Sequence, residues 1–112
     1  MHRWIDRRIF PGADPPSLRQ MMDIFEESDF SVLDVENLRL HYARTLQLWH
    51  QLFEQNTERV GQMFDERFVR MWRLYLLGSR AAFLSGEMQL FQVLFARGTN
   101  NDVPWTREHL YR

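Results

Sequence analysis

Hydrophobic and polar positions along the chain alternate between two periods. Leu18, Met21, Met22 and Phe25 fall at i, i+3, i+4 and i+7, so they form one apolar stripe of a helix over about 17–28. Ser17-Leu18-Arg19-Gln20 ahead of it reads as a capping box, with the Ser17 hydroxyl and Gln20 amide serving reciprocal backbone donors. Over about 30–38 the pattern becomes an alternation, with Val32, Asp34, Glu36 and Leu38 on one side and Ser31, Leu33, Val35 and Asn37 on the other. That predicts a strand. Helical spacing returns at about 40 and persists to about 86, enough for two to three helices. Tyr42, Leu46, Trp49 and Phe53 share a face of the first, which ends near Asn56. A short helix carries Val60, Met63 and Phe64. Asp65 then caps a longer one whose inward face is Phe68, Met71, Trp72, Tyr75, Ala82 and Phe83, with Gly86 as its stop.

A second strand is predicted over about 88–97. Leu90 and Leu94 point one way and Phe91, Val93 and Phe95 the other, so both faces are apolar, as in the middle of a covered sheet. Residues 1–16 read as a connector, because Pro11, Pro15 and Pro16 exclude a helix interior, and 98–112 read as a turn and polar tail. The expectation is a single segment over 1–112 of α+β class, with a two-stranded antiparallel sheet per chain. Such strands imply a larger sheet than 112 residues contain.

Composition narrows the partners. Apolar residues make up 45%, charged residues 26% and aromatics 14%, which suits a packed core and excludes a disordered chain. No apolar run approaches the roughly 18 residues of a membrane span, and the N-terminus lacks a signal-peptide core, so the cytoplasm is the expected compartment. Fourteen basic residues, all Arg, against fifteen acidic ones give a net charge of −1, without the basic excess of a nucleic-acid binder. With no cysteine there is neither a thiolate metal site nor a cysteine nucleophile. His50 and Glu54 stand one helical turn apart, but no third ligand lies nearby in sequence, so the pair reads as a solvated surface pair and no metal is expected. Asp34 and Glu36 read as solvent-facing or edge residues, and His41 either orients Tyr42 or caps the strand-to-helix junction.

Four blocks carry a resemblance: Ile9-Phe10-Pro11-Gly12, the run from Asp34 through His41-Tyr42-Ala43-Arg44-Thr45-Leu46 to Trp49, Asp65-Glu66-Arg67-Phe68-Val69-Arg70-Met71-Trp72, and Gln89 through Gly98. Together they resemble the cyclopropane-fatty-acyl-phospholipid synthases and, more loosely, the mycolic acid cyclopropane synthases. Arg8, where the family often has Tyr, and Ala13, where it has a second Gly, are small departures. The resemblance implies the C-terminal segment of an S-adenosylmethionine-dependent α/β methyltransferase fold. The two strands would be the sixth and seventh of its sheet, and the helices between them its insertion over an acyl-chain tunnel.

It further implies methylene transfer from S-adenosylmethionine to a cis double bond of a phospholipid acyl chain. The reaction passes through a carbocation, which needs a dry pocket, and a bound bicarbonate takes the proton. Of the family's bicarbonate ligands only the tyrosine is encoded here, at Tyr42; Trp49, Phe53, Phe68, Trp72 and Tyr75 would line the acyl chain, although residues at this spacing also serve as plain core. No Gly-rich loop follows a strand, so the chain is expected to bind no cofactor and to be inactive by itself, S-adenosylmethionine and bicarbonate belonging to the intact enzyme. Its expected partners are a second copy, paired through the strand around Val93, and, in the intact enzyme, a phospholipid membrane surface at the inner face. The alternative is a non-catalytic α+β dimerisation or lipid-associated module.

Overall fold

The computed structural model describes residues 3–111, which divide into two compact units, one of residues 3–15 and 37–91 and the other of 16–36 and 92–111. In chain order the elements are α1 (Arg3–Arg8), α2 (Leu18–Glu27), β1 (Phe30–Asn37), α3 (Arg39–Glu54), α4 (Thr57–Met63), α5 (Glu66–Ser85) and β2 (Phe91–Arg97), followed by a 3-10 turn at Glu108–Tyr111. This is the α+β arrangement expected. β1 and β2 form a two-stranded sheet. Leu38 N–H bonds to Leu90 carbonyl at 2.8 Å and Gly98 N–H to Asp29 carbonyl at 2.9 Å, so the strands run antiparallel.

The first unit is built on α3 and α5. Ala43, Leu46, Leu76 and Phe83 form its buried core, with Tyr42, Phe53, Trp72, Tyr75 and Leu90 packed around them. On α5 the most buried positions are Val69, Leu76, Ser79 and Phe83. With Trp72 they repeat at spacings of three and four, which keeps one seam facing α3. The two helices are antiparallel. Arg39, at the start of α3, donates from Nη1 to the Phe83 and Leu84 carbonyls at 2.6 and 3.0 Å. Glu54, at the end of α3, takes the Arg73 guanidinium at 2.5 and 3.0 Å. Arg39 thus satisfies carbonyls that the end of α5 would leave unpaired, at the negative end of its dipole.

Both ends of α5 follow the sequence. Asp65 accepts from Phe68 N–H at 2.7 Å, and Gly86 adopts the left-handed conformation at φ 83° that ends the helix. In the stretch read as a connector, the structure has a short helix, Arg3–Arg8, before the prolines take over. Ile9 and Phe10 N–H groups close onto Ile5 carbonyl, and Gly12 N–H onto Asp6 Oδ1 at 2.9 Å. Met1 and His2, the first residues of that connector, and Arg112, the last of the tail, lie outside the described residues.

In the second unit the Ser17 capping box forms as read, with bonds of 2.8 and 3.2 Å to Gln20. α2 buries Phe25, whose ring meets Phe95 at 4.6 Å and Phe30 at 6.3 Å. β1 differs from expectation in which face is covered. Leu33 and Val35 are exposed, whereas the Asp34 side chain is 11% exposed and forks with Arg107, Nε to Oδ2 at 2.6 Å. Asp34 is therefore not solvent-facing, and the expected polar tail turns back onto the strand because a guanidinium fork matches a carboxylate in two places. β2 begins at Phe91 rather than Met88, since Met88 N–H is committed to Ala82 carbonyl, and Phe95 remains 46% exposed.

Candidate functional site

Tyr42 stands in the first turn of α3, directly after the junction Asn37-Leu38-Arg39, and its ring packs edge-on against Phe83 at 4.8 Å and Trp49 at 6.0 Å. His41 beside it is exposed. Its carbonyl accepts the Thr45 hydroxyl at 3.2 Å, so the junction takes its order from Asn37, whose Oδ1 caps Arg39 N–H at 2.9 Å.

The residues expected to line an acyl chain separate into two groups. Phe68, Trp72 and Tyr75 lie along α5 as one continuous run. Phe64 stacks on Phe68 at 4.3 Å, Phe68 lies nearly parallel to Trp72 at 5.9 Å, and Trp72 meets Tyr75 at 5.1 Å. Phe10 closes the far end, edge-on to Tyr75 at 5.7 Å. Trp49 joins through Tyr42 and is 47% exposed, and Phe53 packs against the core cluster. The run presents flat apolar surface along nearly the whole first half of α5.

Tyr75 and Tyr42 come from different helices and both pack against the core cluster of Ala43, Leu46, Leu76 and Phe83, with Ser79 one turn along α5 from Tyr75. Burial pushes the Tyr75 phenol above its ordinary value, and the neighbouring Tyr42 pushes it further, while the Ser79 hydrogen bond acts in the opposite sense. Ser79 is the one polar residue among the buried side chains described, and no buried side-chain nitrogen or oxygen among the described residues lacks a partner. Sequence reading passed over Ser79 and Phe10. The i, i+4 relation of Tyr75 and Ser79 was a signal for the first, whereas Phe10 is joined only through the tertiary fold.

His50 Nε2 stands 3.2 Å from Glu54 Oε1, the surface pair anticipated, but Glu54 is held chiefly by Arg73. That hydrogen bond comes first among the effects that draw the Glu54 carboxyl below the usual carboxylate range. No helix among the described residues is long and apolar enough to cross a membrane.

Comparison with known proteins places these features in a family setting. The family described as "Mycolic acid cyclopropane synthetase" matches residues 1–93. The chain is 41% identical to a "Probable fatty acid methyltransferase" of Pseudomonas putida, across 97% of its own length and 28% of that protein's. It is 36% identical to the "Cyclopropane-fatty-acyl-phospholipid synthase" of Escherichia coli, across 89% of its length and 26% of the relative's. Among solved structures, the mycolic acid cyclopropane synthase CmaA1 complexed with SAH and CTAB superposes with a TM-score of 0.77 at 27% identity, covering 82% of this chain and 32% of that one. The chain therefore spans only 26–28% of the two curated relatives.

Proposed function

The chain belongs to the mycolic acid cyclopropane synthetase family, and from that premise we propose that it forms the C-terminal part of a cyclopropane-fatty-acyl-phospholipid synthase-like enzyme. In this reading the enzyme transfers a methylene from S-adenosylmethionine to a cis double bond of phospholipid acyl chains. The observation that carries the reading is the placement of Tyr42. Half-buried Tyr42 stands at the head of α3, beside an aromatic run along α5 suited to an apolar chain.

Tyr42 supplies one O–H donor to a bicarbonate ion that serves as the base, and a phenol in apolar surroundings favours such a contact because water competes poorly there. Phe68, Trp72 and Tyr75 offer ring faces to the acyl chain, with Trp49 and Phe53 as further apolar surface. They also keep water from a cation that water would trap. No step through S-adenosylmethionine falls to this chain. Among the described residues, its link from a strand to an α-helix, Asn37-Leu38-Arg39, carries a side chain at every position where a nucleotide-binding loop needs bare backbone. The chain by itself is inactive in this reading, and the cofactor is held by the remainder of the enzyme.

The test is reconstitution. The chain is mixed with the cofactor-binding portion of a relative and assayed for labelled methyl transfer from S-adenosylmethionine to vesicles of unsaturated phospholipid in bicarbonate buffer. Transfer is expected with both portions and none with the chain alone. Failure of the pair to transfer, or micromolar binding of S-adenosylmethionine to the isolated chain by calorimetry, overturns the reading. We also propose that the isolated chain pairs with a second copy along the free edge of β2, and that the intact enzyme works at a phospholipid surface. The two-stranded sheet supports the first, since each strand has an unpaired edge.

A further inference from the structure

We infer that Asn37 is a positioning residue for Tyr42: clamped to Gln89 at 2.9 Å, its side-chain amide fixes the first turn of α3 against the end of α5 and so sets where the Tyr42 hydroxyl stands. The inference rests on the proposed role of Tyr42 and adds to it the device that holds that residue in register.

A carboxamide has two unlike ends, an oxygen that accepts and a nitrogen that donates. Asn37 Oδ1 accepts from Arg39 N–H at 2.9 Å, and Asn37 Nδ2 donates to Gln89 Oε1 at 2.9 Å. Gln89 Nε2 in turn donates to the Gly86 carbonyl at 2.9 Å. The series of bonds starts on a backbone N–H and finishes on a backbone carbonyl, groups whose roles cannot exchange. Turning either amide over would set donor against donor or acceptor against acceptor, so a single order satisfies all three contacts. That order ties Gly86, the stop of α5, to Arg39, the first residue of α3.

Backbone bonds carry it on to Tyr42. Leu38, between the two clamped residues, donates its N–H to the Leu90 carbonyl at 2.8 Å, and its own carbonyl accepts Tyr42 N–H at 2.9 Å. Leu38 is the N-cap of α3 and offers no side-chain acceptor, so the first turn draws that service from Asn37. Phe83 stops the Tyr42 ring edge-on at 4.8 Å, and the Phe83 carbonyl takes Arg39 Nη1 at 2.6 Å. Tyr42 and its clamp are thus referred to the same closing turn of α5. A phenol hydroxyl stands far from its backbone, so a small rotation of the helix head becomes a large displacement of the donor. Misplacement by about an ångström costs much of what such a group contributes. Asn37 and Gln89 are themselves exposed, and neither belongs to the aromatic run along α5.

Gln89→Ala removes the clamp and leaves the Asn37 cap on Arg39 in place. Amide hydrogen exchange of the chain, read by NMR, is expected to quicken about tenfold at Tyr42 N–H, the scale of one net hydrogen bond. Exchange at Leu46, in the core, is expected to stay unchanged. An equal rise at both positions, or none at Tyr42, overturns the inference. In the reconstituted enzyme the same variant is expected to raise the bicarbonate concentration for half-maximal rate about tenfold and to leave the KM for lipid unchanged. A change in lipid KM, or an unaltered bicarbonate response, overturns the positioning role. Asn37→Asp keeps the Arg39 cap but brings a second acceptor to Gln89, whose donor end already serves Gly86, so it should reproduce both shifts. A bicarbonate effect in Asn37→Asp without one in Gln89→Ala would be charge repulsion, and the inference would fall. Adding Gln89→Ala to Asn37→Asp should move neither readout further, because one contact is lost only once; summed effects would make the two residues independent and overturn the clamp. If the unsubstituted pair transfers no methyl group, the proposed function fails, and hydrogen exchange still decides whether the clamp holds Tyr42.

Discussion

Glu54 shows how one exposed group can couple two helices and still contribute only modestly. Its carboxylate receives Arg73 through two bonds from the facing helix and His50 from its own, and its carboxyl is drawn below the usual range. A group whose folded value is depressed stabilises the protein above its unfolded value, and that contribution disappears as pH falls through the folded value. Urea unfolding followed across the acid range is therefore expected to show a small decline in stability on acidification, and Glu54→Gln to remove that part of the slope. The effect stays small because all three partners are open to solvent. Equal acid slopes for the two proteins would show the fork to be energetically idle. Tyr75 behaves in the opposite sense. Its raised value favours the folded state up to the ordinary phenol value of 10.0, and the advantage fades as pH rises beyond it.

At the scale of elements, α5 is the longest helix and has separate stops at its two ends. Asp65→Ala removes the side-chain acceptor for Phe68 N–H and is expected to cost about 1 kcal/mol. Gly86→Ala places a methyl group on a backbone at φ 83° and is expected to cost about 1 kcal/mol. The sites are a whole helix apart, so the double variant should lose the sum within about 0.5 kcal/mol in chemical denaturation. The same locality explains what could be read in advance. Caps, turn glycines and the Ser17–Gln20 box depend on residues within a few positions of each other, and those of α2 and α5 were legible. α1 was not, because its six residues carry no apolar period and its end is tied by Asp6 to Gly12. Choosing the aromatics of α5 as its inward face overlooked Val69, Leu76 and Ser79. The seam against α3 takes Leu76, Ser79 and the single ring of Phe83 at its centre and leaves Trp72 and Tyr75 at its margin. The start of β2 depended on the partner of Met88 N–H, which lies a full turn back in α5. Of the candidate site, Tyr42 was legible only through family resemblance, and its packing against Phe83 only through the meeting of two helices.

For the whole chain, the covering of surfaces is unbalanced. Leu33, Val35 and Phe95 of the strand pair are exposed, as are Leu48, Leu52, Leu74, Leu77 and Leu84 on the helices. Apolar surface on that scale, together with strands short of partners, marks faces made for covering. Sedimentation of the isolated chain is expected to show concentration-dependent association at tens of micromolar, an order typical of modest self-association. Val93→Pro, which removes a strand N–H, should weaken that association if β2 is the seam. A monodisperse monomer for the unsubstituted chain would rule out self-pairing. One detail governs what form such pairing can take. At the open end of the strand pair, a methyl group on Gly98 would lie 2.8 Å from Asp29 Oδ1 and 3.2 Å from its carbonyl oxygen. Slipping the strands by one residue would bring Arg97 or Thr99, each with a side chain, into that gap, where a carbon fits only if the Asp29 carboxylate swings aside and its carbonyl gives by a few tenths of an ångström. The ribbon is thus keyed at one tooth, and whatever strand comes to lie along it meets a fixed sequence of donors and acceptors rather than a sliding one.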